Sequence, residues 1–178
     1  MSQQKPNTKY EPTATELGNA VNELEFCMKQ TLAFYLWQKH FKPDGQINDE
    51  CKIVENATFV YVLLNVRMID EFFDLKPYKT DIKALHFRDF KNPGNFLSEQ
   101  DRQKLNELIF HLTYKRMYAF GIRMITHKLI ERAYKHFKLF MEFAHNDLFA
   151  KQSDIQGLLW SDKEWFESLV AEMSELKD

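Results

Sequence analysis

Residues 53–73, Ile53-Val-Glu-Asn-Ala57-Thr-Phe-Val60-Tyr-Val-Leu63-Leu64-Asn-Val66-Arg67-Met68-Ile-Asp70-Glu-Phe72-Phe73, decide how the chain is read. Apolar residues do not alternate here. Ile53, Ala57, Val60, Leu64 and Met68 recur every three or four positions, the interval that lines up side chains on one side of an α-helix. Ala57 to Val66 is the longest near-apolar run, and it falls well short of the ~18 residues needed to span a bilayer. The stretch is therefore expected to be an amphipathic helix, capped by Asn48 and ended by Pro77.

Working outward, the same period repeats on both sides. Thr13 and Glu16 form a capping box, followed by Leu17, Val21, Leu24, Met28, Leu32 and Tyr35 in a helix reaching about Phe41, where Lys42-Pro-Asp-Gly45 makes a turn. Downstream of Pro77 the pattern breaks up: Asp81 to Phe90 allows one or two turns, and Asn92-Pro-Gly94 reads as a loop. Ser98 and Asp101 then open a helix along Leu105, Leu108 or Ile109, and Leu112, which ends or bends near Gly121. A long segment carries Ile122, Ile125, Leu129, Ala133, Phe137, Phe140, Ala144 and Leu148, and Ser161 with Glu164 caps a last short helix containing Trp165 and Leu169. The expected fold is all-α: an antiparallel bundle of four long helices with the short C-terminal helix across an end or side. Residues 1–12, polar with Pro6 and Pro12, read as a flexible leader, and 13–178 as a single domain.

Composition narrows the function classes. The chain has 178 residues, 16 of them Phe, and a formal net charge of −2, so no general basic excess marks it as a nucleic-acid binder. The two cysteines, Cys27 and Cys51, have no zinc-type spacing and read as small, reduced core residues, which together with the lack of an apolar export segment points to the cytoplasm and away from a membrane. No glycine-rich phosphate loop or Ser-His-Asp order is present, and no cofactor is expected.

Function has to come from polar residues that interrupt the apolar lines. Arg67 follows Val60, Leu63 and Leu64 at helical intervals and is expected to face the core, with Asp70 one turn further on, as an ion pair at the core edge. Asn106, His111 and Arg116 lie within three turns of the helix that follows Ser98, and His111, with an unperturbed pKa near ~6.5, is the best candidate for proton transfer. Burying such charges separately is costly, so Arg67, Asp70, His111 and Arg116 are expected near one another. Metal-type spacings are incomplete: Glu142 and His145 would need a second such motif on another helix, and the pairs His127/Glu131 and Glu107/His111 are common on charged helices, so no metal is expected. One local cationic series, Lys115, Arg116, Arg123, Lys128, Arg132, Lys135 and Lys138, is where RNA or another anion would bind.

The segments Val66-Arg67-Met-Ile-Asp70-Glu-Phe72-Phe73 and Asn106-Glu-Leu-Ile-Phe-His111-Leu112-Thr113-Tyr-Lys-Arg116 resemble a group of uncharacterised bacterial helical proteins. Those carry Arg-x-x-Asp-Phe-Phe, here with Glu71 intervening, followed by Asn-x4-His-Leu-Thr-x-x-Arg. The match covers roughly residues 57–118 and carries no established activity. More distantly, the chain is similar to the HEPN domains (higher eukaryotes and prokaryotes nucleotide-binding), helical bundles that often dimerise and often cleave RNA without a metal through an Arg-x4–6-His motif. That strict motif is absent, because Lys104 stands seven residues before His111 and Arg102 nine before it. Lysine offers a point charge where arginine offers a planar fork, so a HEPN-like site here would be slow.

That resemblance implies His111 as general acid or base toward RNA, Arg116 or Lys104 balancing phosphoryl charge, Asn106 orienting the histidine or a phosphate, and Arg67 with Asp70 supporting them. Two readings follow. In the first the chain is a non-enzymatic interaction or structural protein, and these residues form a polar network that sets helix packing. In the second it is a HEPN-like RNA binder or metal-independent ribonuclease. A homodimer is expected in either case, because Trp160, Trp165 and Phe166 are more aromatic surface than a small bundle is expected to bury.

Overall fold

The computed structural model describes residues 11–40, 49–76, 81–110, 120–144 and 163–175, with the side chains of 49, 50, 108, 110 and 120–125 excepted. Every element in it is helical: α1 (Ala14–His40), α2 (Asp49–Phe72), a 3-10 turn (Ala84–His86), α3 (Glu99–Phe110), α4 (Phe120–Phe143) and α5 (Lys163–Glu175). Among the described residues no helix is long and apolar enough to cross a membrane.

The helix starts follow their capping chemistry. Thr13 N–H donates to Glu16 Oε2 at 2.8 Å while Glu16 N–H donates to Thr13 Oγ1 at 3.3 Å, so each satisfies one of the open donors of the first turn of α1. Asp101 N–H likewise donates to Ser98 Oγ at 3.0 Å at the start of α3. Pro77 does not mark the end of α2, which stops earlier at Phe72. Asn48, Leu148 and Ser161 lie outside the described residues, and Gly121 is the second residue of α4.

Cross-helix contacts fix the topology. Gln38 of α1 donates to the Glu55 carbonyl at 2.9 Å, and at the other end Leu24 and Cys27 share a groove with Ile69 and Phe72, so α1 and α2 are antiparallel. Asn106 meets Arg67 and Arg102 meets Asp70, which reverses α3 against α2. Asp101 lies 3.8 Å from Arg132, and the Phe96 ring sits 5.2 Å from that of His136, which reverses α4 against α3. The path is up-down-up-down, as an antiparallel bundle requires. α5 runs along the side: the Phe166 ring packs, tilted, against that of Phe137 at 5.1 Å between centroids, and Glu172 pairs with His40 at 2.6 Å.

The core combines aliphatic and aromatic layers. α1 buries Val21, Leu24, Met28, Leu32 and Tyr35 of the line anticipated from spacing, with Leu17 partly buried, and adds Cys27 and Leu36. On α2 the buried line is Val62, Leu63, Val66, Ile69 and Phe72, continued by Phe73 just past its end, while Ile53 is 66% and Met68 45% exposed. Of the anticipated stripe, Ile53, Ala57 and Met68 are therefore exposed, and Val60 and Leu64 are half-buried at its inner edge. The irregular segment before α3 supplies core of its own. Phe87 and Phe90 pack with Phe72, Phe73 and Phe140 at centroid separations of 4.9–6.4 Å, largely edge to face, the arrangement that ring quadrupoles favour. Phe166 is fully buried and Trp165 half-buried against α4 and α1, so neither is the bare aromatic surface on which the dimer expectation rested; Trp160 lies outside the described residues.

Candidate polar site between α2 and α3

Asp70 is 1% exposed, and everything its carboxylate touches is a donor. Oδ1 accepts the backbone N–H groups of Phe96 and Leu97, each at 2.8 Å; Oδ2 accepts Arg102 Nε at 2.8 Å and Asn95 Nδ2 at 3.2 Å. Asn95 also donates to the Asp70 carbonyl at 2.8 Å. The loop can present consecutive N–H groups because the chain turns sharply just before them. Gly94 holds φ +83°, a left-handed conformation that suits glycine, and its N–H donates to Asn92 Oδ1 at 2.9 Å. Burial pushes the Asp70 carboxyl above its ordinary value, and the Leu97 N–H, Arg102 and the Phe96 N–H pull it back down.

Arg67 does not pair with Asp70. It is captured by Glu71 one turn along, with Nε donating at 2.9 Å, and it reaches across to Asn106 Oδ1 on α3. Its side chain is 26% exposed, at the margin of the core rather than inside it. The sequence expectation of an Arg67–Asp70 pair is thus corrected: helix geometry gives Arg67 an i,i+4 carboxylate, and the arginine on Asp70 is Arg102.

Arg67, Asp70, Glu71, Arg102 and Asn106 line one cavity of about 320 Å³ together with Asp74, Asp81 and Lys83. Lys83 is 3% exposed and lies 3.6 Å from Asp74. Burial works against ionisation of Asp74, but the Lys76 N–H and the charges of Lys83, Arg102 and Lys76 outweigh it and hold the carboxyl below its ordinary value. Each of the three cations in the cavity therefore has a carboxylate within 4 Å. Arg102 keeps one buried nitrogen, Nη2, with no hydrogen-bond partner among the described residues.

Of the residues singled out from sequence, Arg67, Asp70 and Asn106 come together here. Lys104 is exposed on α3 and does not line the cavity, and His111 and Arg116 lie outside the described residues. Arg102, Lys83, Asn95 and Asp74 were missed as members. Arg102 had a legible signal, an arginine four residues after the Ser98 cap and near the expected partner of Asp70, whereas Lys83 and Asn95 sit in the segment without periodicity. A second polar contact joins α1 to α4, where Tyr35 Oη is 3.1 Å from His127 Nδ1 and His127 Nε2 is 3.3 Å from Glu131. Among the described residues no group of three or more His, Cys, Asp or Glu side chains is placed to hold a metal ion. No family model, curated protein or solved structure matches the chain.

Proposed function

We propose that this chain is a non-enzymatic helical interaction protein in which the Arg67, Asp70, Asn106 network fixes the packing of α2 against α3. The observation that carries the reading is the saturation of Asp70: two backbone N–H groups, an amide and a guanidinium fill its acceptor sites, leaving no lone pair positioned for proton transfer to a substrate. General acid or base work needs a group within reach of a reacting proton and titrating near the operating pH. Arg67, Lys83 and Arg102, each beside a carboxylate, support mutual neutralisation rather than catalysis.

The buried Arg102 Nη2 favours a second reading, an anion such as an RNA phosphate bound at the cavity. Binding of an RNA that does not turn over is read by anisotropy of a labelled RNA with wild type and Arg102→Ala. The interaction reading predicts no binding that Arg102→Ala removes; cleavage is read separately. Purified protein and His111→Ala are incubated with a fluorogenic RNA in EDTA. The interaction reading predicts no turnover above buffer for either protein; robust cleavage lost in His111→Ala would overturn it in favour of the HEPN-like ribonuclease.

A further inference from the structure

The last helix, α5, shows by its own docking what its seat on the bundle binds. Its 13 residues place Phe166, Leu169, Val170 and Met173 at i, i+3, i+4 and i+7, the spacing of an amphipathic helix laid in a groove. Phe166 and Met173 are fully buried, and Leu169 and Val170 are half-buried against the core. The floor of the seat is apolar, with the Phe166 ring 5.1 Å from that of Phe137 on α4. Its rim is basic: Lys29 of α1 lies over the Trp165 ring at 5.2 Å, Lys138 of α4 is 3.6 Å from Glu167, and His40 Nε2 lies 2.6 Å from Glu172. α5 itself carries Glu164, Glu167, Glu172 and Glu175 against Lys163, so an acidic amphipathic helix meets a basic-edged trough.

We infer that α5 is a displaceable latch, and that the seat it covers on α1 and α4 receives an acidic amphipathic helix of a partner protein through an aromatic anchor. A helix of this length is marginal on its own, so α5 is helical because it is docked, and undocking and unfolding are one event. The ion pairs beside its anchors join side chains that are 39–56% exposed, where solvent screens them. Elements held in this way open without the rest of the domain. A partner helix has to match the anchors and overcome the advantage that tethering gives α5. The inference rests on the interaction reading, but it is read by peptide binding and so fails independently of the RNA assays.

The test uses the full chain and a labelled peptide copy of Lys163–Glu175 as the probe. In hydrogen exchange, excess peptide strips the protection of the α5 amides of wild type while α1 and α4 keep theirs. In anisotropy, Phe166→Ser, which empties the seat, binds the peptide about tenfold or more tightly than wild type does, because the tethered competitor is gone. The double variant Glu167→Lys with Glu172→Lys leaves the core untouched and gives a gain in the same direction, and it decides alone if Phe166→Ser loses its helical content. A peptide carrying Phe166→Ser does not bind, and one carrying Glu167→Lys with Glu172→Lys binds about tenfold more weakly, since two attractive contacts at the rim become repulsive. Protection of α5 that peptide does not alter, or no saturable binding to the variants, would overturn the proposal. So would equal binding of the three peptides. Sedimentation of wild type is run in parallel: self-association abolished by Phe166→Ser would seat the α5 of a second copy there and overturn the partner assignment.

Discussion

Asp70 and Asp74 lie one turn apart on the same side of the chain, and their surroundings shift their carboxyl pKa values in opposite directions. Asp70 is sealed in, so burial raises its carboxyl, whereas Asp74 gains more from the Lys76 N–H and from Lys83 and Arg102 than it loses to burial. The stability consequence follows from linkage. A carboxyl whose folded pKa lies below the unfolded value of ~3.9 stabilises the fold fully above that pH, and the contribution is lost as pH falls through the folded value. Asp70, shifted the other way, contributes with the opposite sign, so the Asp74 effect is isolated by comparison with Asp74→Asn. The Tm gap between wild type and Asp74→Asn is expected to be constant from pH 7 to about pH 5 and to close toward pH 3. A gap that widens on acidification would show that the Lys83–Asp74 contact does not favour the ionised form.

At the scale of elements, α2 shows what periodicity settles and what it leaves open. Its helical character was legible in residues 53–73, but the buried side was not, because apolar residues surround much of the helix. Ile53, Val54 and Met68 are as hydrophobic as Val62, Leu63 and Ile69, and only the positions of α1 and α4 choose between them. Leu63→Ala should therefore cost about 2–5 kcal/mol, the range for a buried leucine, and Ile53→Ala less than about 0.5 kcal/mol, as for an open surface site. Urea denaturation of the two variants checks this, and equal midpoints would mean the helix is rotated about its axis from the arrangement described. α1 was read correctly because Glu23, Gln30 and Lys29 interrupt its apolar residues and leave one continuous line. The site was half legible. Arg67, Asp70 and Asn106 stand out as polar interruptions of periodic helices, whereas Asn95, Phe96 and Leu97 lie in a loop whose role depends on the φ of Gly94 and on N–H groups that no side-chain pattern announces.

For the whole molecule, the Asp70 cluster is where an irregular segment and two helices become one cooperative unit. The loop from Asp81 to Leu97 places Phe87 and Phe90 against Phe140 of α4 while its last residues clamp Asp70 of α2, so aromatic core and polar network are secured by the same stretch. Breaking a buried pair by removing one partner typically costs about 3–5 kcal/mol, because the remaining charge is stranded, and removing both costs less than the sum. The proposed structural role of this network is put to a double-mutant cycle on Asp70→Ala and Arg102→Ala by urea denaturation. It predicts a loss of about 3 kcal/mol or more for Asp70→Ala and a coupling above about 1.5 kcal/mol between the two sites. Single variants of near wild-type stability, with a coupling near zero, would contradict it.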